Sequence, residues 1–140
     1  MVQVNRQLLV QGMVLMLLIG IDQYFKWLAL NQQSPILLNH GVSFGWLLLP
    51  TMWQIGLIGV LLVFLTLLGW HQPRWQLTAI LAGGWSNWFD RVTTGAVIDW
   101  LPIPGTNITN NLADYWITIG VLSFVFSTAV SVWKKNLASV

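Results

Sequence analysis

Residues Met52–Trp70 read MWQIGLIGVLLVFLTLLGW, nineteen positions without a charge. A bilayer core about 30 Å thick is crossed by a helix of roughly 20 mostly apolar residues, so this stretch has the length and composition of a membrane span. Three other stretches approach the same pattern. Leu8–Leu30 is apolar until Asp22, Gln23 and Lys26 interrupt its far end; Trp75–Phe89 is weaker, with Asn87 and Asp90 crowding its end; Leu112–Trp133 carries one acid, Asp114, near its start. The expected fold is therefore an all-α membrane protein of four transmembrane helices, at about 8–30, 52–70, 75–89 and 112–133, in a single membrane-embedded domain covering residues 1–140. The basic Arg6 followed by an apolar run also fits a cleavable signal peptide, but the run leads into a charged, aromatic segment and not into a small-residue cleavage site.

Composition agrees. Of 140 residues 56% are hydrophobic and 7% charged, where a soluble domain carries about 25% charged residues. The ten tryptophans suit aromatic anchoring at the membrane interfaces. Cysteine is absent, which excludes a disulfide framework and a cysteine nucleophile. No basic run or glycine-rich phosphate loop points to nucleic acid.

Lysine and arginine set the orientation. Arg6, the His71/Arg74 turn and Lys134–Lys135 fall on one side of a four-span chain, which places both termini in the cytoplasm. Two loops then face outward, about 31–51 and 91–111. In the first, Pro35–Asn39 and Val42–Trp46 flank His40-Gly41 and read as a hairpin or small sheet on the extracytoplasmic surface. In the second, Pro102, Pro104 and Gly105 call for a sharp turn.

The chain has four acidic residues, all aspartates: Asp22, Asp90, Asp99 and Asp114. All four map to the outer ends of spans or the adjoining loop, joined by Lys26, Arg91, Asn39, Asn87, Asn110 and Asn111. Charge in a membrane is costly and tends to be paired or functional. Asp99 and Asp114 stand out for their apolar surroundings. Brought together, two such carboxyls would repel each other's charge and hold one proton between them, the requirement for acid–base activation of water. The plainer readings are local: Asp22 and Lys26 at a stabilising i, i+4 spacing, Asp90–Arg91 as an ion pair at a helix end, Asn87 and Asn111 as helix caps, and Gly83-Gly84 as a helix-packing contact. A serine–histidine site would need His40 with Ser34 or Ser43, and the two histidines fall on opposite sides, which speaks against a metal site. A small proton-coupled transporter and a non-catalytic membrane subunit are the competing functions; a proton relay would want carboxylates at several depths.

Five segments carry a family resemblance: Asp22-Gln23-Tyr24-Phe25-Lys26, Asn39-His40-Gly41-Val42-Ser43-Phe44-Gly45, Gly83-Gly84-Trp85-Ser86-Asn87-Trp88-Phe89-Asp90-Arg91, Gly95-Ala96-Val97-Ile98-Asp99-Trp100, and Asn111-Leu112-Ala113-Asp114 with Ile117 and Gly120. In this order the chain resembles the lipoprotein signal peptidases, the bacterial type II signal peptidases. Ser86 stands where that family often has glycine, and Asn110 where an aromatic often precedes the asparagine. The resemblance implies an aspartic endopeptidase of the bacterial inner membrane that removes the signal peptide of prolipoproteins just before a cysteine carrying a diacylglyceryl group. It implies Asp99 and Asp114 as the catalytic pair, and Asp22, Lys26, Asn39, Gly41, Asn87, Asp90, Arg91 and Asn111 as supporting or substrate-binding residues. It implies no metal and no cofactor, and a monomer whose partners are lipid-modified prolipoproteins and membrane lipids.

Overall fold

The computed structural model describes residues 6–32, 35–41, 50–71 and 74–137. Four helices dominate: α1 (Arg6–Asn31), α2 (Thr51–His71), α3 (Trp75–Thr94) and α4 (Leu112–Leu137). Three of them, α1, α2 and α4, are long and apolar enough to cross a membrane. Their large apolar side chains are mostly exposed, with Met52 at 79%, Val60 at 72% and Phe126 at 72%. A water-soluble protein would bury such residues; a helix bundle in lipid has no reason to.

The third helix is the polar one. It continues to Thr94, past the end expected at Phe89, because Asn87, Asp90 and Arg91 are buried and satisfied by other elements. Gly95 closes it in the left-handed conformation (φ 78°), its N–H donating to the Arg91 carbonyl at 3.1 Å. α3 packs most extensively against α4, then against α1 and α2. Glycines allow the closest approach. A Cβ on Gly83 would collide with the Ala113 carbonyl, and one on Gly120 would meet the Gln76 carbonyl at 2.7 Å.

Among the described residues the extended segments form two small antiparallel pairs: β1 (Leu37–Asn39) with β2 (Val97–Asp99), and β3 (Leu101–Pro102) with β4 (Thr109–Asn110). Leu37–Asn39 lies along Val97–Asp99, with Leu37 opposite Asp99, so the sheet joins the α1–α2 and α3–α4 connections; the hairpin expected with Val42–Trp46 lies outside the described residues, as does Ser34. The turn expected around Pro102–Gly105 is the β3–β4 connection, with Gly105 at φ 78°. Phe25 stacks on Trp100 at 5.4 Å and fastens α1 to the β2–β3 corner.

Candidate active site

The C-terminal parts of α1 and α3 and the N-terminal end of α4 meet around Lys26. Its ammonium lies 2.6 Å from Asp22 Oδ2 and 2.6 Å from Asp90 Oδ2, and it donates to Asn87 Oδ1 at 3.0 Å. Lys26, Asp22 and Asp90 are at most 1% exposed, so the charges are removed from solvent and hold only because each is paired and hydrogen-bonded. Asp22 also accepts from the Ala113 N–H (3.0 Å), which ties α1 to the first turn of α4. Asp90 accepts from the Ile98 N–H (3.3 Å), which ties α3 to β2.

Asp90 and Arg91 do not form the local ion pair that their adjacency suggested. Successive helical residues point in different directions: Asp90 turns to Lys26, while Arg91 turns to the start of α2. The Arg91 guanidinium donates to Gln54 Oε1 (3.0 Å), the Asn87 carbonyl (3.1 Å) and the Gly41 carbonyl (3.0 Å). Gln54 in turn donates to the His40 carbonyl at 2.7 Å. The Asn39–Gly41 segment is therefore held from below by α2 and α3.

Three asparagines face Asp99 and Asp114. Asn111 donates its amide to Asp99 Oδ1 at 2.6 Å, while its Oδ1 accepts the Asp114 N–H at 3.0 Å as the N-cap of α4. Asn39 donates to Asp99 Oδ2 at 3.1 Å, and its oxygen accepts the Gly41 N–H at 3.0 Å. Asn87 donates to Asp114 Oδ1 at 2.8 Å, and its oxygen accepts from Lys26. Each amide oxygen is engaged by a group that can only donate, so each amide nitrogen must face a carboxylate. Asn111 was open to a capping or a site role, and it has both contacts. Asn87, the other candidate cap, lies inside α3 and caps nothing.

Asp99 is 1% exposed on β2, and Asp114 is half-buried on α4. Burial pushes the Asp99 carboxyl up from its ordinary value to about 6; the charge of Asp114 pushes the same way, and the bonds from Asn39 and Asn111 oppose it. Asp114 lines a cavity of about 350 Å³ whose polar wall includes Asn39, Asn87 and Arg91 and whose apolar wall includes Leu61 and Ile117. Asp99 adds nothing to that wall; its neighbours Val97 and Asn110 do.

Three further residues belong to the cluster. Gln23 donates to Asp90 Oδ1 (2.7 Å) and Ser86 Oγ (2.9 Å), and Ser86 donates to Asp22 Oδ2 (2.7 Å). Gln23 and Ser86 stood inside the quoted segments without a role. Gln54 had a visible signal, an amide in an otherwise apolar span, and it is only 2% exposed. His40 contributes its backbone carbonyl to the cluster. Among the described residues no group of histidines, cysteines and acids is arranged to hold a metal ion.

The chain is 29% identical to a lipoprotein signal peptidase of Streptococcus agalactiae over 88% of this chain and 91% of that protein. It is 30% identical to one of Acinetobacter baumannii over 80% of this chain and 78% of that one. Its fold matches a solved bacterial membrane enzyme with a TM-score of 0.79 at 19% identity, covering 90% of this chain and 91% of that one. Residues 14–130 match the family model of signal peptidase II, and the chain belongs to that family of peptidases.

Proposed function

We propose that the chain cleaves the signal peptide of diacylglyceryl-modified prolipoproteins on the N-terminal side of the lipidated cysteine, with Asp99 and Asp114 as its catalytic pair. The observation that carries the reading is Asn111: one side chain grips the Asp99 carboxylate and the backbone of Asp114. It couples two acids from separate stretches of chain beside a cavity that Asp114 lines. All four aspartates cluster in one network at one end of the bundle, an arrangement suited to a single reaction centre and not to a relay through the membrane.

The hydrogen bonds suggest how the work is divided. Three of the pair's four carboxylate oxygens accept an asparagine amide; among the described residues, Asp114 Oδ2 accepts none. It is the oxygen with a free lone pair on the side chain that lines the cavity, and we assign it to water. Burial disfavours charge on Asp99, and we assign it the proton that the pair shares when substrate is bound. Asp114 takes a proton from water as the water oxygen attacks the scissile carbonyl carbon, and Asp99, reached once substrate displaces Asn39 at the cavity wall, donates a hydrogen bond to the carbonyl oxygen. When the tetrahedral intermediate collapses, the C–N bond breaks and the Asp114 proton passes to the leaving amine. The lipid anchor and signal helix keep the substrate in the membrane and align the bond, which supplies orientation. In this reading α3 is the fourth span, both termini are cytoplasmic, and the site lies near the extracytoplasmic face of the bacterial inner membrane. Asp22, Lys26, Asn39, Gly41, Asn87, Asp90, Arg91 and Asn111 hold the pair and the substrate backbone in place.

The test is processing of a lipidated precursor by purified variants. Asp99→Asn and Asp114→Asn should each abolish cleavage with the fold retained, and normal cleavage by either removes the pair. The division of labour has its own readout in Asn39→Ala, which removes a bond that favours ionised Asp99. If Asp99 acts as the neutral partner, the alkaline limb of the kcat/KM profile moves to higher pH. Movement of the acid limb instead would reverse the two roles.

A further inference from the structure

Away from the aspartates, Leu65 and Leu68 of α2, Leu77 and Ile80 of α3, and Phe124 of α4 enclose a slot of about 320 Å³. Among the described residues its one polar lining residue is Arg74, the exposed residue that precedes α3. Among the described residues its guanidinium has no ion-pair partner. Among the described residues no acid lies nearby: the four aspartates are all engaged in the cluster at the other end. The other cations outside that cluster, Arg6, Lys134 and Lys135, belong to the same end of the molecule as Arg74.

Arg74 is also set back from that end. It shares the slot with Phe124, yet α4 runs on through Val125–Leu137. At 1.5 Å per residue, Lys134 stands about 15 Å further along the α4 axis than Phe124. The α2–α3 corner is therefore a notch beside a longer helix. In the proposed orientation a guanidinium set back this far from the end of α4 lies nearer the hydrocarbon, where it is expensive unless a counter-charge joins it, and a phosphate matches its planar fork of donors.

We propose that this notch binds an anionic phospholipid of the inner leaflet, with the phosphate on Arg74 and one acyl chain in the slot; the leaflet follows from the orientation proposed above. Charge separates this occupant from its rival. The slot shares Leu65 and Ile80 with the cavity at Asp114, so an acyl chain of the substrate could extend into it. A diacylglyceryl group is neutral and would leave Arg74 unpaired. A zwitterionic lipid brings a phosphate together with its own ammonium, and so supplies less net counter-charge.

The experiment is native mass spectrometry of the full chain released from vesicles of equal phosphatidylglycerol and phosphatidylethanolamine. Wild type should retain phosphatidylglycerol over phosphatidylethanolamine by about fivefold, the scale of one favourable cation near an anionic lipid. Arg74→Gln should lose that preference, and Leu68→Trp, which fills the slot from α2, should lose both adducts. Both variants should still process a lipidated precursor, since neither residue belongs to the catalytic cluster; this keeps a failure of the lipid site distinct from a failure of the peptidase reading. An undiminished preference in Arg74→Gln would overturn the proposal. So would displacement of the bound phosphatidylglycerol by a saturating lipidated precursor, because the slot would then be the substrate's.

Discussion

At Asp99, burial and hydrogen bonding pull one carboxyl in opposite directions. Burial dominates, and the group titrates at about 6. The folded chain then holds this proton more tightly than the unfolded chain does. The contribution of Asp99 to stability is complete below its ordinary value of 3.8, declines as pH rises to about 6, and is flat above. The Asp99→Asn variant lacks this slope. Across that window, wild type should lose melting temperature relative to Asp99→Asn as pH rises, and a constant difference would show that the site does not perturb Asp99. Lys26 presents the reverse case, a buried cation that two buried carboxylates require. Lys26→Met should destabilise by about 3–5 kcal/mol, the cost of stranding buried charge. Adding Asp22→Asn and Asp90→Asn should recover most of it, measured by thermal unfolding in detergent. A Lys26→Met protein as stable as wild type would mean the two acids find water or protons elsewhere.

Among the elements, α3 decides how the half that holds the aspartates is assembled, and glycine decides how close α3 comes to α4. Gly83→Ala places a methyl against the Ala113 carbonyl, one residue before Asp114, where neither backbone can yield without moving the cap of α4. Overpacking of this kind costs about 1–3 kcal/mol. The expected result is a lower melting temperature together with a loss of cleavage larger than the stability loss alone explains; unchanged cleavage would separate the α3–α4 spacing from the site. This contact was legible in the chain as a glycine pair, as were the three strongly apolar helices, because both follow from local composition. Asn111 was legible too, since a cap is written in the residues beside it. Pairing between distant segments was not. Nothing around Leu37–Asn39 specifies Val97–Asp99 as its partner, since two short strands can each be extended without naming each other. The partners of Asp90 were hidden for a similar reason: sequence adjacency suggested Arg91, while the helix turned the two side chains apart. Gln54 could have been found as the one amide in an apolar span, a position where an unpaired polar group is costly.

For the whole molecule, topology turns on whether α3 crosses the bilayer. By apolar length α1, α2 and α4 qualify as spans. α3 carries Asn87, Asp90 and Arg91, which would be costly in lipid, yet all three are buried and bonded to side chains of α1, α2 or α4. A 20-residue helix is about 30 Å long, enough to cross the bilayer core. α2 and α3 also lie side by side over much of their length: Trp88 donates to the Ile55 carbonyl near the start of α2, and Gly69 meets Leu77 near its end. If α2 spans, α3 must return beside it. The absence of cysteine makes the test clean, because any introduced thiol is unique. Thr106→Cys, on the exposed β3–β4 turn, should react with a membrane-impermeant maleimide in intact spheroplasts. His71→Cys, at the exposed end of α2, should react only after the membrane is permeabilised. Labelling of both positions from the same side would show that the bundle does not span between them, and the site would then lose its access to substrates anchored in the opposite leaflet.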